Sequence, residues 1–228
     1  MDTLIEYLNF ANDHPERFVN PSEGGFTILL QEDEIRKVEA SMAQKLEAKG
    51  LPTEWSQVGI VYRDQYGMIL RDAVLFPGGA PGTYIRFIGN MDSGPSAIIL
   101  PRYKGDVLLI RRFRHATRTW HLEIPIGLGV KGLSGEENAR KELAEEIGAT
   151  ISYIVPIGKL EEGPGLTESP AELFYADIAS YGKVNTRIGI TDVFQVAIPE
   201  FERMMCESEI TDSFTIIVYL RAKLEGLL

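Results

Sequence analysis

Apolar residues recur along this chain at two spacings. Leu4, Ile5, Leu8 and Phe10 form one face of a short amphipathic helix over residues 1–12. Ile35, Val38, Met42 and Leu46 repeat at three to four residues and predict a second helix over 32–49, ended by Gly50 and Pro52. A Pro- and Gly-containing break at 14–25 separates the two. From Val58 onward the pattern is that of strands. Residues 58–62 and 68–70 flank Asp64-Gln65-Tyr66-Gly67, which predicts a hairpin. Further strands are expected at 73–76, 84–88, 96–100 and 106–110, then at 151–157, 171–178 and 193–198. A helix is expected over 134–148, and two more over 199–224. Strands, helix, strands, helices is the order of an α+β or layered α/β domain rather than a regular βαβ repeat.

Composition narrows the class. The 228 residues are 44% apolar and 25% charged, the ordinary balance of a globular chain able to bury a substantial core. No apolar run approaches the ~18 residues of a membrane span, so no membrane partner is expected. Residues 1–6 lack the basic start and apolar stretch of a signal peptide. Cys206 is the only cysteine, which rules out an intrachain disulfide and points to a cytoplasmic location. It reads as a packed thiol. The net charge of -10 argues against a nucleic-acid partner. The densest basic stretch is Arg111-Arg112-Phe113-Arg114-His115; read alone, it is a strand end with solvated charges. Trp120 reads either as a base-stacking ring or as a buried aromatic.

One helix carries candidate chemistry. Ser134 is placed to cap it, Glu136 and Glu137 suit its positive end, and Gly148 suits its stop. Glu142, Glu145 and Glu146 lie three and four apart, which stacks carboxylates on one face, while Leu143 and Ile147 point to a neighbouring, buried face. Crowded carboxylates repel unless a cation joins them, and hard divalent ions prefer such oxygens. A Glu-x-x-Glu-Glu helix by itself is more often a solvated face. What changes the balance is the segment before it, Glu123-Ile124-Pro125-Ile126-Gly127, leading through a Gly-containing loop into the helix.

The whole segment resembles the Nudix box. In that family a glycine is followed by a loop glutamate and then by Arg-Glu-aliphatic-x-Glu-Glu-x-Gly-aliphatic. Gly127, Glu142, Leu143, Glu145, Glu146 and Gly148 match, with Ala149 as a small apolar last residue. Leu133 stands where the loop glutamate belongs and Lys141 where the arginine belongs. The family commonly pairs these two, so the double departure is expected to alter loop anchoring more than metal binding.

Flanking residues resemble the ADP-ribose pyrophosphatase branch, over about residues 57–220. They are the strand ending in Arg111-Arg112-Phe113-Arg114, the segment Glu123–Gly127 and the loop Gly163-Pro164-Gly165. The resemblance implies a layered α/β/α Nudix-type fold of the α+β class, with a mixed sheet between helices. Residues 1–55 would be a helical extension, 56–95 a strand arm that dimerises the protein, and 96–228 the Nudix-type domain. It implies Mg²⁺ or Mn²⁺ held by Glu142, Glu145, Glu146 and the backbone carbonyl of Ile126. Glu145 or Glu146 would act as catalytic base, and Arg86, Arg114, Glu123 and Pro164 would contact substrate.

The implied reaction is hydrolysis of the diphosphate bond of a nucleoside diphosphate linked to a sugar or similar group, with ADP-ribose-like substrates and a homodimer as the assembly. The alternative is a weakly active or inactive module that binds such a nucleotide. Leu133, Lys141 and a late loop (residues 185–193) whose one acid is Asp192 favour the alternative; the three retained glutamates favour the enzyme. Asp192 itself reads as a cap or turn residue.

Overall fold

The computed structural model describes residues 3–228. The helix expected over 1–12 is α1 (Thr3–Asp13), and residues 1 and 2 lie outside the described part. The chain divides into two compact units. One holds the residues before Asp92 together with Gly163–Ser169; the other holds Asp92–Glu162 and Pro170–Leu228.

In the first unit, α1 and α2 (Glu32–Glu47) accompany a five-stranded sheet. Its strands are β1 (Thr27–Ile28), β2 (Gly59–Arg63), β3 (Gly67–Leu75), β4 (Pro81–Gly89) and β10 (Thr167–Glu168). The strands β2, β3 and β4 are antiparallel neighbours, and β10 adds to β4 in parallel. Leu4, Tyr7, Ile35 and Val38 from the helices bury against Ile60, Met68, Leu70 and Ile88 from the sheet.

Residues 68–70 and 73–76, expected as separate strands, belong to one nine-residue strand, β3, which ends at Leu75. The polar pair Arg71-Asp72 interrupts the apolar run but not the backbone ladder. Asp72 is buried because its charge is met: Arg86 donates from Nε (2.6 Å) and Nη2 (3.1 Å), and the Tyr7 hydroxyl donates at 2.7 Å. A buried carboxylate needs such partners.

The second unit is built on a seven-stranded mixed sheet. Its strands are β5 (Ser96–Tyr103), β6 (Asp106–Arg114), β7 (Thr119–Glu123), β8 (Ile126–Gly127), β9 (Thr150–Glu161), β11 (Pro170–Ser180) and β12 (Ile190–Val196). The main order is β12-β6-β5-β11-β9, with β7 beside β6 and β8 beside β5. The strands β5 and β11 run parallel, while β9 and β12 are antiparallel to their neighbours.

Alternate residues of these strands serve opposite faces. Ala97, Ile99, Leu108 and Ile110 bury against Ala139, Leu143 and Ile147 of α3 (Gly135–Ile147). Ile98, Leu100, Val107 and Leu109 bury against Phe201 of α4 (Ile198–Cys206) and against Val218, Tyr219 and Ala222 of α5 (Ser213–Leu224). The unit is thus a sheet layered between helices, as the order of elements predicts. Cys206 corrects an expectation: it ends α4 as an exposed thiol rather than a packed one. Among the described residues, no helix is long and apolar enough to cross a membrane.

Candidate active site

The site begins with how α3 is started and stopped. The Ser134 hydroxyl accepts the Glu137 backbone N–H at 3.2 Å, and the Glu137 carboxylate accepts the Ser134 backbone N–H at 2.8 Å. This reciprocal cap satisfies two groups at the helix start. Gly148 adopts φ 61°, ψ 33°, a left-handed stop that favours glycine. Between these ends, Glu142, Glu145 and Glu146 occupy consecutive turns.

The loop leading into α3 is fixed by means the sequence did not reveal. Asn138 is fully buried and donates from Nδ2 to the carbonyls of Leu128 (3.0 Å) and Pro95 (3.3 Å). Gly129 approaches the Gly94 carbonyl so closely that a Cβ there would lie 1.6 Å from the oxygen. The loop is therefore anchored without a charge pair between positions 133 and 141.

Each of the three glutamates has a distinct setting. Glu142 lies against the strand β8: a Cβ on Gly127 would fall 1.9 Å from Glu142 Cγ and 2.8 Å from its Oε1. Glycine at 127 lets this carboxylate lie beside the backbone of Ile126 and Gly127. Glu145 is about half exposed. Glu146 is 1% exposed and faces the sheet, where Arg112 of β6 donates to its Oε1 at 2.9 Å. Its other oxygen, Oε2, is buried with no hydrogen-bond partner. Burial pushes the Glu146 carboxyl up to about 7; Arg112 opposes that rise, and the nearby charges of Glu142 and Glu123 add to it.

Lys141 engages one oxygen of each of the other two carboxylates. Its ammonium lies 2.8 Å from Glu145 Oε2 and 3.1 Å from Glu142 Oε1. Its pKa is raised, first by the hydrogen bond to Glu145. The three carboxylates therefore do not converge. Among the described residues, no three His, Cys, Asp or Glu side chains are gathered as a metal-binding group. The donor chemistry nonetheless fits a hard divalent ion: carboxylate oxygens on one helix face, a backbone strand brought close by glycine, and an orphaned buried oxygen on Glu146.

Strand alternation places Arg112, Arg114, His121 and Glu123 on the α3 side of β6 and β7. Glu123 is 1% exposed, and its carboxylate is gripped by Arg114 through Nε and Nη2, both at 2.8 Å. Arg112 is also within 3.7 Å of it. Burial raises the Glu123 pKa, and Arg114 chiefly opposes that rise. Arg114 itself keeps 36% of its side chain exposed. Arg112 is the functional candidate that reading the sequence missed. Its position two residues before Arg114 on a strand is the signal that would have found it.

The other face of the same strands carries Arg111 over the Trp120 ring at 4.1 Å, with Phe113 edge-on to Trp120. Trp120 is 42% exposed and belongs to that face, not to the carboxylate face. Asp192, expected as a cap or turn residue, lies within β12 opposite Arg111.

Two other expected substrate contacts belong to the first unit. Arg86 is fully engaged there: besides Asp72, its Nη1 donates to the Arg17 carbonyl at 3.0 Å, and its guanidinium lies over Phe18. Pro164 is an exposed turn residue in the Gly163–Ser169 segment. The remaining expected site residues, Arg114, Glu123, Ile126, Glu142, Glu145 and Glu146, all belong to the second unit.

Comparison with known proteins finds a family model, two enzymes and a solved structure to which the chain is similar. Residues 92–180 match the family model of the NUDIX domain. The chain is 28% identical to the GDP-mannose pyrophosphatase of Yersinia enterocolitica over 154 residues, 63% of this chain and 80% of that protein. It is 25% identical to the ADP-ribose pyrophosphatase of Bacillus subtilis over 135 residues, 57% of this chain and 73% of that protein. A crystal structure described as an ADP compounds hydrolase superposes with a TM-score of 0.65 at 18% identity, covering 75% of this chain and 93% of that one. That last likeness establishes the fold.

Proposed function

We propose, for a chain that carries a NUDIX domain at residues 92–180 and resembles the ADP-sugar pyrophosphatase branch, the hydrolysis of a nucleoside diphosphate linked to a sugar or similar group, dependent on Mg²⁺ or Mn²⁺. The observation that carries it is the Glu146 carboxyl: buried, held by Arg112 at one oxygen and unpartnered at the other, on the helix that carries Glu142 and Glu145. Glu142, Glu145, Glu146 and the Ile126 carbonyl would hold the divalent ions. Bound there, such ions neutralise the diphosphate charge and lower the pKa of water.

The chain's own residues divide the remaining work. Glu146 Oε2, the oxygen without a hydrogen-bond partner, would accept a proton from the attacking water. Arg112 orients the carboxyl through Oε1. Glu123, whose carboxylate is engaged by Arg114, would act by holding that guanidinium in place. Arg114 offers its exposed edge to a phosphate oxygen. Arg86 supports the fold of its own unit, because contact with substrate would require releasing Asp72 or the Arg17 carbonyl.

The competing reading, a nucleotide-binding module without turnover, draws on the two departures in the box, on the late loop and, in the structure, on the Lys141 ammonium already seated on Glu142 and Glu145. Incubation with ADP-ribose and Mg²⁺ separates the two. Hydrolysis at the diphosphate yields AMP and ribose 5-phosphate, and Glu146→Gln should reduce their formation by about a hundredfold or more, the scale of general-base loss. Equal rates in both proteins would remove Glu146 from the chemistry.

A further inference from the structure

Lys141 is the cation that the sequence itself supplies to the carboxylate face. Its ammonium bridges Glu142 Oε1 and Glu145 Oε2, at 3.1 Å and 2.8 Å. A long flexible stem with a point charge can do this; a planar guanidinium fixed on a distant partner would not. Leu133 offers no carboxylate to draw the charge elsewhere. We infer that Lys141 is a built-in counter-ion that competes with divalent metal for Glu142 and Glu145. Metal entry thus requires the ammonium to swing away, and the chain binds divalent ions more weakly than its carboxylates alone would.

The inference rests on the metal-dependent reading above and sharpens it: Lys141 sets the ion concentration at which the site loads. Lys141 keeps 34% of its side chain exposed, so the ammonium has water to move into. Glu146 is not part of the competition, because its partner is Arg112 and lies on the sheet. A site with two partially independent halves follows: the Glu146 side, with its orphaned oxygen, and the Glu142–Glu145 side, closed by Lys141.

Mn²⁺ titration of the full chain without nucleotide, followed by the loss of free-ion electron paramagnetic resonance signal, reads the competition directly. Lys141→Gln should bind Mn²⁺ about tenfold more tightly than the parent, since one full charge next to the ion is removed. Lys141→Arg, which keeps the charge, should stay nearer to the parent than Lys141→Gln does. Thermal unfolding of the metal-free proteins checks that all three are folded, and the partly exposed position of Lys141 on α3 makes that the expected result. Equal or weaker Mn²⁺ binding by folded Lys141→Gln overturns the competition while leaving the metal site standing. Absence of Mn²⁺ binding in both parent and Lys141→Gln overturns the competition together with the metal-dependent reading.

Discussion

Arg112 donates to Glu146 Oε1 at 2.9 Å, while Glu146 Oε2 is buried without a hydrogen-bond partner. One oxygen is fixed and the other is unpartnered. This joins the sheet to the box helix through a charge pair, and it makes the carboxyl sensitive to both pH and its partner.

Removing the arginine exposes that dependence. Arg112→Met keeps much of the apolar stem but leaves Glu146, and in part Glu123, without a counter-charge. At pH 8 the loss of stability should be about 3 kcal/mol, the scale for stranding one member of a buried pair. At pH 5.5 it should be clearly smaller, because Glu146 can take a proton instead. Urea unfolding at the two pH values checks this. An equal loss at both would mean that Arg112 acts through packing of its stem.

Glu146 also predicts the pH dependence of the metal-free fold. An unfolded glutamate titrates at about 4.3, whereas burial pushes the folded carboxyl up to about 7. Between those values the folded state holds a proton that the unfolded state has released. The associated stability is full below the unfolded pKa and is lost as pH rises through 7, on the order of 3 kcal/mol. With chelator present, Tm should fall from pH 5 to pH 8 by several degrees more in the parent than in Glu146→Gln. Parallel curves for the two proteins would contradict the assignment.

Two glycines near the box should behave differently when changed to alanine. At Gly127 the new methyl would collide with Glu142 Cγ and Cδ, parts of a side chain that can move. Divalent-ion affinity should drop while stability changes by less than about 1 kcal/mol. At Gly129 the obstacle is the Gly94 carbonyl, which is backbone, so the loop must deform. That variant should lose about 2 kcal/mol or more. Paired Mn²⁺ titration and thermal unfolding of both variants check the contrast.

What could be read ahead of the structure was mostly local. The helix at 134–148 announces itself through Ser134, the apolar pair Leu143 and Ile147, and Gly148, and all four act as expected. The layered order of elements follows from period-two and period-3.6 patterns, which depend on near neighbours. The unity of β3 was hidden because Arg71-Asp72 looks like a break. It is resolved only by Tyr7 and Arg86, which are far from Asp72 in sequence. Arg112 was overlooked among adjacent basic residues, and its role needs α3 packed on the same face of the sheet. The partners of Lys141 were the least legible: its ammonium is seated on two of the proposed metal ligands, while Asn138 anchors the loop.

The central claim, that this site hydrolyses a diphosphate bond, is tested most directly by a substrate panel. The purified chain with Mg²⁺ is offered ADP-ribose, ADP-glucose, GDP-mannose, other nucleotide sugars and dinucleotides, and inorganic phosphate is then released from the phosphomonoester products by phosphatase and counted. The account predicts turnover on at least one nucleoside diphosphate linked to a sugar, at a rate that falls sharply in Glu146→Gln. Measurable nucleotide binding without turnover on any member, in a folded protein saturated with metal, would contradict it and make the chain a binding module.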